Sequence, residues 1–118
     1  MTRRDIQNQA KKEGKPWDMG KGFDASAPIG LMVPAAKVAN PGKGLIELKV
    51  HGKVRQPSDL SKMIWDVPEM IAYLSGRVKL APGDLIYSGT PENVAAVERG
   101  DLLEGVVEGV GTVKTRIV

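Results

Sequence analysis

The sequence contains no cysteine and a single histidine, His51, among its 118 residues. The first absence removes disulfides, zinc–thiolate and iron–sulfur ligation and thiol nucleophiles together. The second leaves little from which to build a histidine metal site or a serine–histidine–aspartate triad. Aromatic residues are scarce at 4%, too few for the stacking platform on which single-strand nucleic-acid binders hold bases. No apolar run approaches the roughly 20 residues that cross a bilayer. The polar start Met1-Thr2-Arg3-Arg4-Asp5 shows no signal-peptide core. A cytoplasmic protein with neither membrane nor nucleic acid as partner is therefore expected. Also missing are GxxxxGK[ST], GxGxxG after a strand, HExxH and paired carboxylates at helix spacing, which sets those enzyme classes aside.

What is present is an ordinary globular composition, with 42% hydrophobic and 26% charged residues and a formal charge of +3. Basic residues are interspersed with acidic ones, so no charged block points to a polyanion. The length suits one domain with one core. Fourteen glycines and eight prolines imply many turns, which fits short strands and hairpins better than a helical bundle.

Residues 2–13, TRRDIQNQAKKE, read as a short polar helix with Thr2 as N-cap, Asp5 three residues on and Gly14 as the stop. Residues 14–44 read as one long irregular segment, and loops of this length tend to be functional. LIELKV, residues 45–50, then His51-Gly52 and KVRQ, read as a β-hairpin with positive φ at His51 and Gly52. In SKMIWDVPEMIAYLS a helix opens near Asp66, carries Pro68 in its first turn and closes at Gly76. Met70, Ile71 and Leu74 form its inward stripe, and Trp65 is read as core. LAPGDLIYSGT predicts a Pro82-Gly83 turn, a strand from Leu85 to Tyr87 and an abrupt end at Ser88-Gly89-Thr90-Pro91. The second Gly-Asp-Leu, at Gly100, repeats that turn before a closing hairpin around Gly109–Gly111.

Three features could do chemistry. Arg4 and Gln7 are three apart, so on a helix they share a face and could hold a carboxylate, the arginine by a two-pronged ion pair and the amide by donation. A solvated helix face is the plain alternative. Lys21 sits between two glycines, Gly20 and Gly22, which leave room for a ligand to reach its ammonium; a wet loop lysine is the alternative. Thr90 offers a hydroxyl and an N–H after Gly89, with Pro91 fixing the chain direction, against the alternative of a plain turn.

The ordered motifs MTRRDIQ, GKPWDMGKGFDASAPIG, KVHGKVRQ, MIWDVPEMIAYLS, LAPGDLIYSGTPENV and VVEGVGTVKTRIV resemble the C-terminal half of the fumarylacetoacetate hydrolase family, most nearly its acylpyruvate and fumarylpyruvate hydrolases. The resemblance covers nearly the whole chain. It implies an α+β fold, β-rich with mixed rolled sheets and a few short helices, in which residues 1–118 are a single partial catalytic domain truncated at its N-terminus. It also implies a homodimer and a Mg²⁺- or Mn²⁺-assisted hydrolase that cleaves a carbon–carbon bond in acylpyruvate-type diketo acids during aromatic catabolism. Some relatives isomerise or decarboxylate related keto acids. By the same resemblance Lys21 and Thr90 are catalytic, and Arg4, Gln7 and Gly89 bind substrate.

The family's metal ligands, two glutamates of an E-x-E strand and an aspartate before M-T-x-R-D, match nothing from Met1 onward. The family's lid histidine and glutamate are also unmatched, and His51 does not correspond to that histidine. Asp5, Asp18 and Asp24 read as caps or surface residues. Weak or absent binding of Mg²⁺ or Mn²⁺ by this chain alone is expected, along with exposed apolar surface that favours self-association. A catalytically inactive scaffold that keeps the fold and dimer surface is the competing reading. A small basic nucleic-acid-binding domain is a third.

Overall fold

The computed structural model describes residues 1–118, which pack as two compact units, Met1–Gly30 and Leu31–Val118. In the first unit, helix α1 spans Arg4–Lys12 and the single-turn helix α2 spans Asp18–Lys21. The α1 N-cap is Arg3, with no side-chain cap; the expected cap, Thr2, instead accepts a hydrogen bond from Lys21 Nζ at 2.9 Å. The hydroxyl is engaged by the lysine, and the helix starts one residue later than a Thr2 cap would set it. Inside the segment expected to be irregular, α2 forms because its glycine is packed. Gly20 is buried, and a Cβ there would lie 3.2 Å from the Gln7 backbone nitrogen. Asp18 in its first turn and Lys21 in its last complement the helix dipole.

The second unit is built on an antiparallel sheet of order β2-β1-β3-β4, with β1 Leu45–Val50, β2 Lys53–Asp59, β3 Leu102–Val107 and β4 Gly111–Arg116. Together with α3, Val67–Ser75, it gives the α+β class. His51 and Gly52 both take positive φ, 49° and 75°, as the hairpin reading requires. The pleat separates two faces. One carries a charge ladder, Lys49–Glu47 at 3.1 Å and Lys114–Glu104 at 2.7 Å. The other carries Ile46, Leu48, Val50, Leu103 and Val113. Val50 and Leu103, which pair across β1 and β3, are the only buried hydrophobic residues.

Asp66 and Glu69 close a reciprocal capping box on α3, each side chain accepting from the other's backbone N–H at 2.8 Å. The helix does not bury its apolar stripe as expected. Ile71 is 45% exposed and no residue of α3 is buried. Trp65, expected in the core, is also 45% exposed and meets Tyr73 edge-on at 4.7 Å.

The two Gly-Asp-Leu turns are the same device. Asp84 N–H donates to Ala81 O while Asp84 Oδ2 accepts from Ala81 N–H; Asp101 N–H donates to Glu98 O while Asp101 Oδ2 accepts from Glu98 N–H. Gly83 and Gly100 supply the positive φ, 100° and 97°, that this turn demands. The second turn opens β3, but the first opens no strand. Leu85–Tyr87 lies outside the four-stranded sheet, and its side chains are exposed.

Asp101 also pairs through Oδ1 with His51 Nε2 at 2.8 Å, tying the β1–β2 turn to the start of β3. The Glu98 N–H, and after it His51, hold the Asp101 carboxyl below its ordinary value of 3.8. Because the folded value is the lower one, the stabilisation is complete above that ordinary value and is lost as pH falls through the folded one. Urea midpoints are expected to drop below about pH 4, and less steeply in Asp101→Asn. Equal acid slopes for the two chains would refute the tie.

Candidate functional site

In the first unit the helical spacing brings Arg4 and Gln7 together, with Arg4 Nη1 donating to Gln7 Oε1 at 2.6 Å. Gln7 is only 7% exposed. The contact occupies the amide oxygen, leaves Nε2 as the free donor side of the amide and keeps the guanidinium beside it. Two donors side by side are suited to a carboxylate. Lys21 ends α2 on a helix rather than a loop, and Thr2 Oγ1 takes one of its three ammonium protons. Arg3 stacks over Phe23 at 4.4 Å, which fixes a further cation on the same unit.

In the second unit Ser88-Gly89-Thr90-Pro91 is a non-strand segment, exposed except for the half-buried Pro91, with Gly89 at φ 102°. It lines a cleft of about 500 Å³ together with Ile46, Leu60, Met63, Trp65 and Met70. Trp65 and Met70 therefore wall a cavity instead of filling a core.

The residue that sequence reasoning missed is Gln56. It is 5% exposed, and its Nε2 donates to Pro91 O at 2.7 Å and Glu92 O at 2.8 Å, with Thr90 Oγ1 at 3.3 Å. A β-bulge aims it there. Counted back from the turn pair Val50–Lys53, Arg55 would oppose Leu48; the register instead pairs Leu48 with Gln56 and Lys49 with Val54. Arg55 is left unopposed, and Gln56 is carried onto the apolar face.

No three His, Cys, Asp or Glu side chains converge on a point. Asp5 and Asp18 sit in the first turns of α1 and α2, where they serve the helix dipoles. The residues of this chain do not by themselves form a divalent-cation site.

The family model for the fumarylacetoacetate (FAA) hydrolase C-terminal region matches residues 1–118. Fumarylpyruvate hydrolase from a Ralstonia species is 44% identical over 99% of this chain and 60% of its own length. The mitochondrial oxaloacetate tautomerase of Homo sapiens is 41% identical over 92% of this chain and 49% of its own length. The crystal structure of fumarylpyruvate hydrolase from Pseudomonas aeruginosa, in complex with Mn²⁺ and pyruvate, superposes with a TM-score of 0.94. It is 48% identical and covers all of this chain and 51% of that one. The chain thus spans about half the length of the curated relatives it matches.

Proposed function

This chain belongs to the fumarylacetoacetate hydrolase family, and from that premise we propose that it supplies acid-binding and oxyanion-stabilising groups to a hydrolase of acylpyruvate-type diketo acids. The observation that carries the reading is the Pseudomonas aeruginosa structure with pyruvate and Mn²⁺, matched along the entire chain at 48% identity. Pyruvate is the fragment that hydrolysis of an acylpyruvate releases, and its carboxylate and oxo group define what the site must hold.

In this reading Arg4 and Gln7 grip the carboxylate, Lys21 places a positive charge beside the developing enolate oxygen, and the Thr90 hydroxyl donates to an anionic oxygen. Gly89 permits the turn that presents Thr90. Hydrolysis then adds the elements of water across the carbon–carbon bond, leaving an acid and pyruvate. The Mn²⁺ that accompanies pyruvate in the Pseudomonas aeruginosa structure finds no ligand set among these side chains. The same reading makes the protein a cytoplasmic homodimer. Exposed Leu31 and Met32, at 98% and 78%, support the self-association.

The absence of convergent metal ligands favours one second reading, a catalytically inactive member that keeps the acid-binding surface. Two measurements on the 118-residue chain separate them. Pyruvate titrated against ¹⁵N-labelled protein is expected to shift the amides of Gln7, Lys21 and Thr90; no shift at any of them overturns the proposal. Loss of fumarylpyruvate absorbance with added Mn²⁺ supports the hydrolase, and pyruvate binding without turnover supports the inactive member. Calorimetry with Mg²⁺ and Mn²⁺ is expected to show no micromolar site, and a micromolar site would show that Asp5, Asp18 or Asp24 ligates after all.

A further inference from the structure

We infer that Gln56 is a positioning residue. Its side-chain amide anchors the Thr90-Pro91-Glu92 backbone and, by presenting only N–H to Thr90 Oγ1, leaves the threonine proton to be donated to an acceptor oxygen of the ligand. The inference rests on the reading of Thr90 as a substrate-contacting residue. It adds what fixes that hydroxyl and which ligand atoms it accepts.

The bulge at Arg55 spends one residue's pairing to turn Gln56 onto the apolar face. There its amide would be costly if unsatisfied. The two protons on Nε2 meet Pro91 O at 2.7 Å and Glu92 O at 2.8 Å, while Thr90 Oγ1 shares the nitrogen at 3.3 Å. Two consecutive carbonyls drawn to one nitrogen define the backbone direction after Thr90. No sheet ladder does so, because residues 85–93 lie outside the strands. Pro91 has no N–H with which to anchor itself, so carbonyl capture by Gln56 takes over that role.

A threonine hydroxyl carries one proton and two lone pairs. With the amide N–H shared against one lone pair, the Thr90 proton is left to be donated into the cleft that the residue lines. The hydroxyl can therefore donate at this point to an acceptor such as a carboxylate or enolate oxygen.

The test uses the 118-residue chain with Gln56→Glu, which keeps the shape but replaces the donor nitrogen by an acceptor facing three oxygens, and with Thr90→Val. Backbone ¹⁵N order parameters at Thr90 and Glu92 are expected to fall from about 0.85 in the parent to below about 0.6 in Gln56→Glu, while those of Leu48 and Leu103 stay unchanged. Pyruvate affinity is expected to drop about tenfold in either variant. Adding Gln56→Glu to Thr90→Val should cost no more, because the glutamine acts through the hydroxyl. Unchanged order at Thr90 and Glu92, or fully additive losses, would overturn the inference. If the parent ignores pyruvate, the function reading fails and the order parameters still decide the anchoring. If Gln56→Glu does not fold, parent cross-peaks from the Gln56 amide protons to Thr90 and Pro91 decide it; their absence overturns it.

Discussion

Gly20→Ala is expected to destabilise the first unit by about 1–3 kcal/mol, whereas Gly22→Ala, two residues on, should be nearly neutral. Both glycines flank Lys21, and neither has the positive φ that would forbid a side chain. They differ in what a Cβ would meet. At Gly20 it would lie 3.2 Å from Gln7 N, 3.2 Å from Gln7 Cβ and 3.3 Å from Gln7 Cα. Two of those atoms are helix backbone, so relief requires moving α1 as a body rather than rotating a side chain. That movement also pulls on the hydrogen bond from Arg3 N–H to Gly20 O, 3.0 Å long. At Gly22 the nearest atom, Asp18 O, is 3.4 Å away, an ordinary contact. Amide protection along α1, measured by hydrogen exchange, should fall in the first variant and hold in the second. Pyruvate shifts at Gln7 should weaken with it. Equal protection in the two variants would mean that α1 and α2 do not depend on this contact.

The sequence is most legible where local chemistry alone fixes the backbone. The His51-Gly52 turn, the Asp66 cap with Pro68 behind it and the Gly109–Gly111 hairpin need only φ preferences and nearby side chains, and the structure has all three. Motif order also sufficed for the family, because six ordered segments leave few alternatives. Legibility ends where a partner from elsewhere in the chain decides the outcome. Thr2 looks like a cap until Lys21, 19 residues away, claims its hydroxyl. Lys21 looks like a loop residue until Gly20 packs on Gln7 and closes a helical turn. Leu85–Tyr87 has strand composition, but a strand exists only by pairing, and here the segment pairs with none of the four strands. Trp65, Met70 and Ile71 are apolar enough for a core, yet two of them line a cleft and the third faces solvent. Gln56 shows the limit most sharply. Its importance depends on a one-residue bulge, and the period-2 pattern of KVRQ places Arg55 on the apolar face in its stead.

Lys21→Ala is expected to weaken pyruvate binding by about tenfold to a hundredfold, the range for a hydrogen bond to a charged group. The fold should be spared. Lys21 is exposed, and its side chain donates a hydrogen bond to Thr2 Oγ1, so stability should change by about 1 kcal/mol or less. The ammonium has three protons; Thr2 orients the side chain through one and leaves two for an anion. Thr2→Val should therefore cost less than Lys21→Ala, since the charge survives and only its orientation relaxes. Lys21→Arg should not restore full affinity, because a planar fork cannot reproduce a compact point charge held by one hydroxyl. Solvent screening bounds the effect while the site is open, and affinity should decline with added salt more steeply in the parent than in Lys21→Ala, where Arg4 remains as a cation. If Lys21→Ala binds pyruvate as the parent does, with the same salt dependence, the lysine is a wet surface residue and the acid-binding role passes to Arg4 and Gln7 alone.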